Sequence, residues 1–376
     1  MFSKIYLQTE LKKYDNIKFI VISMELNPTI SFFIIGDNMD TENLIKEMVY
    51  EFGVSGYEDP IKEKIVYYLK KYGQPKIDKI GNVYFTFGGN EKHIAFIAHM
   101  DEIGVIVTHI DKSGMLRIKR VGGVDSRMLY GQYLEFLGRD GKFRYGVIGL
   151  KPPHVSKEDE LNKCFSGEEL YVDVGARSKE EAEGLGFNVL DPGRWMKNFI
   201  KLNNRYIVTR GLDDRAGVAI LLEFLERSIK KDLKNKITLI FTVQEETGLR
   251  GARGIEDLNY DEIYVIDSVT SADMPNVDYA LSPVSLGKGP VFRFFDARGA
   301  NSLSLVKKLR EIAERNGIKY QEVVTGGSTD AAGTFERGIP SVAISFPIKY
   351  THSTVEMLDL NDIENEIKLM EKISEY

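Results

Sequence analysis

The sequence predicts an α/β fold: a mixed sheet flanked by helices, with a β-rich domain inserted into it. Short apolar runs, such as residues 94–98 and 237–243, have the length and composition of buried strands. Amphipathic segments alternate with these runs, which indicates helices packed on both faces of a parallel or mixed sheet. Between residues 110 and 207, short strands punctuated by glycine replace that alternation. We therefore expect a main domain built from residues 39–109 and 208–376, with the β-rich domain between its halves.

Residues 1–38 are expected to form an extension of unknown role. They contain short apolar runs without a clear partner, whereas regular helical spacing begins at Thr41. Asp40 or Thr41 can cap that first helix, and Met39 directly precedes them. We expect the functional fold, and the natural chain, to start near Met39. The alternative is a genuine extension that adds strands or blocks an opening of an assembly.

The remaining elements are assigned from apolar spacing. Helices are predicted over residues 42–52, 61–69, 218–225, 302–315 and 361–373, and strands over residues 83–85, 94–98, 237–243, 263–266 and 341–346. Within the β-rich domain, residues 138–141 have the composition of a hairpin turn.

Composition excludes several classes of protein. The chain carries 50 basic and 56 acidic residues without a basic stripe, so a nucleic-acid partner is not expected. No apolar run approaches the ~20 residues that span a bilayer, so no membrane partner is expected. Cys164 is the only cysteine, which fits a reducing cytoplasm. Any metal must therefore be held by His, Asp and Glu.

Glu245 and Glu246 are the most informative residues, because they directly follow the apolar run 237–243. Glu-Glu pairs are common on surfaces, but adjacent carboxylates at the end of a buried strand are costly unless they are used. Neighbouring residues with different orientations can divide two tasks: one binds a metal, and the other accepts a proton from water.

His99 and Asp101 end a second apolar run. A lone histidine is more often a satisfied core or surface residue than a ligand. Here, however, residues i and i+2 of extended chain share one face, so Asp101 can hold the imidazole in the tautomer that binds metal. His93, His109 and His154 are not singled out in this way and are interpreted as structural.

Three further candidates are weaker when taken singly. Asp213 and Asp214 open a helix, where capping is the usual explanation for acidic residues. Asp213 lies nearer the predicted sheet edge and is the candidate for a carboxylate that bridges two metal ions. Asp267 and His352 follow strands, where turn residues are frequent. Together these residues recur at the carboxyl ends of successive strands, where open α/β sheets bind ligands. Their number and chemistry suit two metal ions that share a carboxylate.

The ordered motifs resemble those of the TET-type dinuclear metallo-aminopeptidases, which include glutamyl and deblocking aminopeptidases and some members labelled endoglucanases. The similarity runs from about residue 41 to the C-terminus, and the matching motifs lie at residues 98–104, 151–154, 212–217, 244–248, 326–330 and 350–353. Residues 268–276 match the family only loosely, which leaves the pocket for the substrate's N-terminal side chain open, and residues 1–38 have no counterpart.

This resemblance implies a peptidase with two divalent ions per subunit, zinc or cobalt. The implied metal ligands are His99, Asp213, Glu246, Asp267 and His352, with Asp213 bridging. Glu245 is implied as the general base and Asp101 as the residue that orients His99. The resemblance also implies peptide substrates, a dimerisation role for the inserted β-rich domain, and a homo-oligomer of twelve subunits.

Three alternatives stay open at this point. A β-glucan hydrolase needs two carboxylates that flank a sugar bond, but it does not need two histidines among them. A metal-dependent deacylase of a related dinuclear fold usually has its extra domain after the metal-binding glutamates, whereas here it precedes Asp213. A metal-stabilised scaffold subunit would have no use for Glu245 as a free base.

Overall fold

The computed structural model describes residues 8–14, 17–23, 33–35, 40–158, 163 and 169–376, so Cys164 lies outside the described residues. The chain divides into two compact units, Met1–Asp40 and Thr41–Tyr376. The described part of the first unit is an antiparallel sheet with the order β1-β2-β3. Its strands are β1 (Gln8–Tyr14), β2 (Ile17–Ser23) and β3 (Phe33–Ile35).

The second unit alternates strands with helices. Its strands are β4 (Lys76–Ile77), β5 (Val83–Gly88), β6 (His93–His99), β7 (Gly104–Ile110), β8 (Leu116–Val121), β9 (Gln132–Leu137), β10 (Phe143–Ile148), β11 (Tyr171–Val172), β12 (Pro192–Trp195), β13 (Ile200–Leu202), β14 (Tyr206–Thr209), β15 (Lys236–Thr242), β16 (Glu262–Thr270), β17 (Val291–Asp296), β18 (Gly299–Ala300), β19 (Gln321–Val324), β20 (Ser341–Lys349) and β21 (Glu356–Asp359). Its described helices are α1 (Thr41–Tyr50), α2 (Asp59–Leu69), α3 (Lys179–Gly184), α4 (Leu212–Ser228), α5 (Arg250–Arg253), α6 (Leu303–Arg315), α7 (Asp330–Phe335) and α8 (Leu360–Glu375).

A twelve-stranded mixed sheet forms the centre of this unit. Its main path runs β13-β14-β21-β20-β16-β6-β15-β5-β4, and β17 joins β18 and β19 to β20. The central strands β15, β6, β16 and β20 are parallel neighbours. They are nearly continuous apolar segments, as expected for strands that are buried on both faces. Their carboxyl ends therefore meet at one edge of the sheet.

Helices cover both faces of these central strands. On one face, Phe96 of β6 packs against Phe224 of α4, with ring centroids 5.1 Å apart. On the other face, Ala95 and Ile97 share a hydrophobic cluster with Ala331 of α7. Because side chains alternate along a strand, the two contacts must lie on opposite faces. The predicted mixed α/β fold is confirmed.

A second, six-stranded sheet lies between the two halves of the large sheet in sequence. Its order is β10-β9-β12-β7-β8-β11, and its strands fall between residues 104 and 195. Val147 and Asp173 exchange two backbone hydrogen bonds of 2.8 Å, which join β10 to β11 and close the sheet on itself. Its interior is an apolar cluster that includes Phe136 and Trp195. The hairpin expected at residues 138–141 connects β9 and β10.

Several element boundaries differ from the sequence-based expectation. The strand predicted to stop at Ile266 continues as β16 to Thr270, because residues 267–269 are also buried. Asp267 therefore lies within a strand rather than after it. Helix α4 begins with two residues, Asp213 and Asp214, whose backbone is not helical, so regular helix starts only beyond them.

Candidate active site

The candidate residues converge at the carboxyl edge of the parallel strands. His99 is the last residue of β6 and pairs in register with Thr242, the last residue of β15. Glu245 and Glu246 therefore follow at the same edge. Asp213 joins them from the start of α4, where its extended backbone conformation keeps it out of the helix proper.

Asp213 lies between the two histidines. Its Oδ1 is 3.2 Å from Nε2 of His99, and its Oδ2 is 3.3 Å from Nε2 of His352. Each carboxylate oxygen thus faces a different imidazole. This is the arrangement expected of a carboxylate shared between two adjacent cation sites.

The two glutamates stand on either side of this group. Glu246 Oε1 is 3.2 Å from His352 Nε2, and Glu245 Oε2 is 3.9 Å from His99 Nε2. Glu246 Oε1 is buried and makes no hydrogen bond, because its contact with His352 lacks hydrogen-bond geometry. A buried carboxylate oxygen without a hydrogen bond is costly unless a cation completes its surroundings.

Asp101 fixes the backbone of both glutamates. Its Oδ1 accepts a hydrogen bond from the Glu245 N–H at 2.9 Å, and its Oδ2 accepts one from the Glu246 N–H at 3.2 Å. Its Oδ1 also lies 3.5 Å from His99 Nδ1. Asp101 is fully buried, so its side chain has one fixed position. One carboxylate thereby holds three candidate residues.

Backbone carbonyls orient both imidazoles in the same way. His99 Nδ1 lies 3.2 Å from the Asp101 carbonyl oxygen, and His352 Nδ1 lies 3.1 Å from the Gly123 carbonyl oxygen. A carbonyl only accepts, so the proton sits on Nδ1 of each neutral ring. Nε2 is then left with its lone pair directed at the carboxylates, as in metal-binding histidines.

Asp267 is less closely connected. It is buried and lines the same pocket as Asp213, Glu245, Glu246 and His352. No hydrogen bond or ion pair within the described residues joins its side chain to the other candidates. It is coupled to them by charge: burial and Asp213 raise the pKa of Asp267 to about 7, against the opposing effect of His99.

The electrostatics of the group show an excess of negative charge. Burial and neighbouring carboxylates raise the pKa of Glu245 well above its ordinary value. Burial alone would lower the pKa of His352, but Glu246 and Asp213 raise it to about 12. Without another cation, protonated histidines are the counter-charge that this cluster requires. A divalent ion can replace those protons, because it binds neutral imidazole and ionised carboxylate.

The donor set fits such an ion. One ligand atom each from His99, Asp213 and Glu246 lie within 4.8 Å of one another, close enough to surround a single cation. Nitrogen and oxygen donors of these types suit zinc and its neighbours among the divalent metals.

Glu356 was missed by the sequence analysis. It opens β21, and its Oε1 accepts a hydrogen bond from the His352 N–H at 2.9 Å. Its Oε2 accepts from the Leu212 N–H at 2.7 Å, next to Asp213. Glu356 therefore ties together the two backbone segments that carry Asp213 and His352. The sequence feature that could have indicated Glu356 is an acidic residue at the start of a short apolar segment.

Asp214 also has a role that the sequence did not reveal. Its carboxylate accepts hydrogen bonds from the backbone N–H groups of His99 and Gly217. Arg215 points away, toward Glu102 and backbone carbonyls of residues 48–53.

Glu102, directly after Asp101, is the centre of a buried ionic cluster. Its Oε1 lies 3.0 Å from Arg194 Nη1 and 3.4 Å from Arg215 Nη2, and its Oε2 lies 2.6 Å from Arg210 Nη1 and 2.8 Å from Lys197 Nζ. Three of these cations also donate to carbonyls at the end of α1, which have no partners within that helix. The cluster thus joins the end of α1 to Glu102, the residue that follows Asp101.

A pocket of about 470 Å³ opens beside the carboxylates and histidines. Its lining also includes Ser268 and Thr270 of β16, together with Arg293, Arg298 and Ser328. His93, His109 and His154 lie elsewhere. His93 bonds to Thr238 and Asn259, which agrees with the structural role expected for it.

Comparison with protein families gives one clear match: the model of the M42 glutamyl aminopeptidase family covers residues 81–369. A curated relative, the lysyl aminopeptidase of Pyrococcus furiosus, is 36% identical over 344 residues, which cover 88% of this chain and 96% of that enzyme.

Solved structures give the same picture. The TET1 peptidase of Pyrococcus horikoshii, described as assembling into a tetrahedron or a large octahedral shell, superposes with a TM-score of 0.83 at 41% identity. That match covers 89% of this chain and 99% of the peptidase. A Thermotoga maritima protein solved under the name endoglucanase matches with a TM-score of 0.72 at 28% identity, over 88% and 96% of the two chains. Among the described residues, no helix has the length and apolar character needed to cross a membrane.

Proposed function

This chain belongs to the M42 glutamyl aminopeptidase family and is a peptide-bond hydrolase, and from this premise we propose that it is a dinuclear metal-dependent aminopeptidase. The family resemblance expected from the ordered motifs is thereby confirmed. The observation that carries the proposal is the position of Asp213, whose two oxygens face the Nε2 atoms of His99 and His352 at 3.2 and 3.3 Å.

We assign the ligands around that shared carboxylate. Glu246 and His352, which lie 3.2 Å apart, would hold one ion together with Asp213. His99 and Asp267 would hold the other, because Asp267 is a buried carboxylate that lines the pocket and is coupled electrostatically to both His99 and Asp213. Zinc and cobalt both accept these donors.

Side chains of this protein would carry out the proton transfers. Bound divalent ions would lower the pKa of a water molecule and polarise the scissile carbonyl. Glu245, whose buried carboxylate has a raised pKa, would accept the proton from that water. It would then deliver the proton to the nitrogen of the departing amine. Asp101 keeps Glu245 in place by accepting a hydrogen bond from the Glu245 backbone N–H.

Metal removal and substrate blocking test this proposal together. Exhaustive chelation should abolish release of the N-terminal residue from a peptide, and zinc or cobalt should restore it. An N-acetylated peptide of the same sequence should resist the restored enzyme, because an aminopeptidase needs a free N-terminus. Cleavage of the acetyl group would favour a deacylase, and chelator-resistant hydrolysis of a soluble β-glucan would favour a glycosidase.

We propose that the six-stranded sheet, whose strands fall between residues 104 and 195, is an inserted domain that joins subunits. Its outer face exposes Tyr133, Tyr145 and Val147, and Tyr133 and Val147 are direct partners on β9 and β10. Exposed apolar clusters of this kind mark protein interfaces. The related PhTET1, whose solved structure is described as a dodecamer, supports a homo-oligomer of twelve subunits.

Sedimentation of the purified protein tests the assembly. We expect a particle of twelve subunits, and Tyr145→Asp should shift it toward smaller species. A monomer with full peptidase activity would overturn the assembly without affecting the catalytic proposal. The single cysteine supports a further proposal, that the enzyme works in the reducing cytoplasm.

A further inference from the structure

A second pocket, of about 200 Å³, opens at the end of the parallel strands that is remote from the catalytic residues. His93 and Lys236, which pair in register at the starts of β6 and β15, both line it. The same two strands end at His99 and Thr242, six residues further along. Because a strand rises ~3.3 Å per residue, the pocket is ~20 Å from the candidate metal site. A small molecule held in this pocket therefore does not touch the catalytic group.

The pocket carries charges of both signs that do not neutralise one another. Lys76 and Lys236 line it together with Glu256 and Asp257. Within the described part of the chain, no carboxylate lies within 4.0 Å of either ammonium, and neither of the two carboxylates has a cation that close. Asp257 accepts hydrogen bonds only from Asn259, both through Oδ1. A ligand that bears both a positive and a negative charge can thus meet opposite charges here without breaking an ion pair.

Two buried tyrosines supply an apolar wall and a hydrogen-bond donor. Tyr84 is 9% exposed and Tyr260 is 7% exposed, and both line the pocket. The hydroxyl of Tyr84 donates to Asp78 Oδ2 at 2.7 Å, which fixes that ring. The hydroxyl of Tyr260 makes no hydrogen bond to any other described residue. Burial raises the pKa of Tyr260, so this hydroxyl keeps its proton and can donate it to an anion.

His93 argues against a metal ion in this pocket. One of its ring nitrogens lies 2.9 Å from the Asn259 carbonyl oxygen, and the other lies 2.8 Å from the Thr238 hydroxyl. Both nitrogens are therefore already engaged. Burial and Lys236 lower the pKa of His93, so its ring is neutral at pH 7 and adds no charge. The remaining carboxylates have two ammonium groups beside them, which a cation would have to approach.

We propose that this pocket binds a free amino acid with an apolar side chain. The two lysines and the Tyr260 hydroxyl bind the α-carboxylate, Glu256 and Asp257 bind the α-ammonium, and the tyrosine rings contact the side chain. Hydrogen bonds between charged groups are the strong ones in such sites. At ~30 Å³ per water molecule, the pocket has room for about seven waters, which is comparable to one amino acid.

Free amino acids are the products of an aminopeptidase, so the biological meaning of this pocket rests on the proposed function. The metal site releases the amino acid at one end of the parallel strands, and the pocket retains it at the other end. The pocket is thus a second site for product that takes no part in catalysis.

Equilibrium dialysis of radiolabelled L-phenylalanine against the metal-loaded, full-length enzyme tests the pocket by counting bound molecules per subunit. Lys236→Glu should remove one bound molecule per subunit, because it replaces a partner of the carboxylate with a repelling charge. Lys234→Glu, at an exposed position outside the pocket, is the matched control and should remove none. Both variants should cleave a leucyl p-nitroanilide with the native kcat/KM, because the pocket is remote from the metal site. Phenylalanine bound at the metal site would be retained by both variants.

Ligand analogues test the need for both charges. Competition against L-phenylalanine should show that 3-phenylpropionate, which lacks the ammonium, and phenethylamine, which lacks the carboxylate, bind ~10–100-fold more weakly. Glycine should also bind more weakly, because it lacks the side chain that contacts the tyrosines. If Lys236→Glu does not fold, Thr86→Trp should remove the same bound molecule by filling the pocket from an exposed strand position.

The outcomes that overturn the pocket differ from those that overturn the proposed function. Equal binding of L-phenylalanine by the native enzyme and the pocket variants would show that the amino acid binds elsewhere. Equally tight binding of 3-phenylpropionate, or displacement by inorganic phosphate, would mean a simple anion site and would overturn the proposal. Loss of one bound phenylalanine in Lys236→Glu, without release of any N-terminal residue in the presence of zinc or cobalt, would keep the pocket and overturn the peptidase function.

Discussion

The carboxylate of Glu102 lies 2.8 Å from Nζ of Lys197 in the protein interior, where neither side chain reaches solvent. Glu102 follows β6 of the large sheet, and Lys197 follows β12 of the six-stranded sheet. The same carboxylate also contacts Arg194, Arg210 and Arg215. Burial alone would raise the pKa of Glu102, but these cations hold it well below its ordinary value.

Glu102→Gln should therefore destabilise the protein strongly. The amide keeps the size of the side chain but leaves several buried cations without their counter-charge. A loss of ~3–5 kcal/mol in the free energy of unfolding is expected for a broken buried pair. Urea denaturation measures it, with Glu322→Gln in the exposed pair with Arg310 as the control. Equal stability of the two variants would show that the cations need no carboxylate there.

Replacing the two neighbouring glutamates should separate base from ligand. Glu245→Gln cannot accept a proton, so turnover should fall by about two orders of magnitude or more while metal content is kept. Glu246→Gln should weaken metal binding instead, so that excess metal partly restores its activity. Metal content and peptidase rate are measured on both purified variants. Loss of metal from the Glu245 variant alone would mean that the two roles are exchanged.

Glu356→Gln should disturb the site without touching substrate. Glu356 accepts hydrogen bonds with both oxygens, one from the His352 N–H and one from the Leu212 N–H. An amide has a single acceptor oxygen, so one of the two backbone segments must lose its bond. Metal affinity or activity should fall by ~10–100-fold, as is typical when groups that orient ligands are changed. Zinc titration measures the affinity, with Glu364→Gln, which removes a partner of Arg227, as the control. Identical affinities of the two variants would argue against this role for Glu356.

Glu58 should make stability depend on pH. Burial and the nearby Asp101 raise the pKa of Glu58 from 4.5 to about 7. The folded state then binds more protons than the unfolded state between those values, so this contribution to stability is complete below pH 4.5 and is lost as the pH rises through 7.

Glu58→Gln removes that charge while its amide oxygen can still accept from the Gly56 and Gln244 N–H groups. Relative to the native protein, the variant should gain on the order of 2 kcal/mol between pH 5 and pH 8. Urea denaturation at both pH values, with the exposed Glu63→Gln as the reference, decides the matter. A stability difference that does not vary with pH would contradict the prediction.

Much of the candidate site could be predicted from the sequence, because its residues are adjacent in sequence to apolar segments that form buried strands. Glu245 and Glu246 directly follow a run that can only be a core strand, and parallel strands bring such positions to one edge. Asp267 was predicted as a ligand for the same reason, although the strand continues past it. Local sequence carries no information on which distant segments meet, so Glu356 and the partners of Glu102 stayed hidden.

The contacts of Arg194 and Lys197 bear on protein engineering. These residues stand at the end of the six-stranded sheet, yet both contact Glu102, which directly follows Asp101 of the candidate site. A chimera that carries the six-stranded sheet of a relative, made to alter the assembly, would also replace Arg194 and Lys197. A graft that ends before Arg194 should keep the recipient's activity. A graft that includes both positions should keep activity only when the donor also has basic residues there. Arg194 and Lys197 therefore mark the practical boundary between the six-stranded sheet and the main domain.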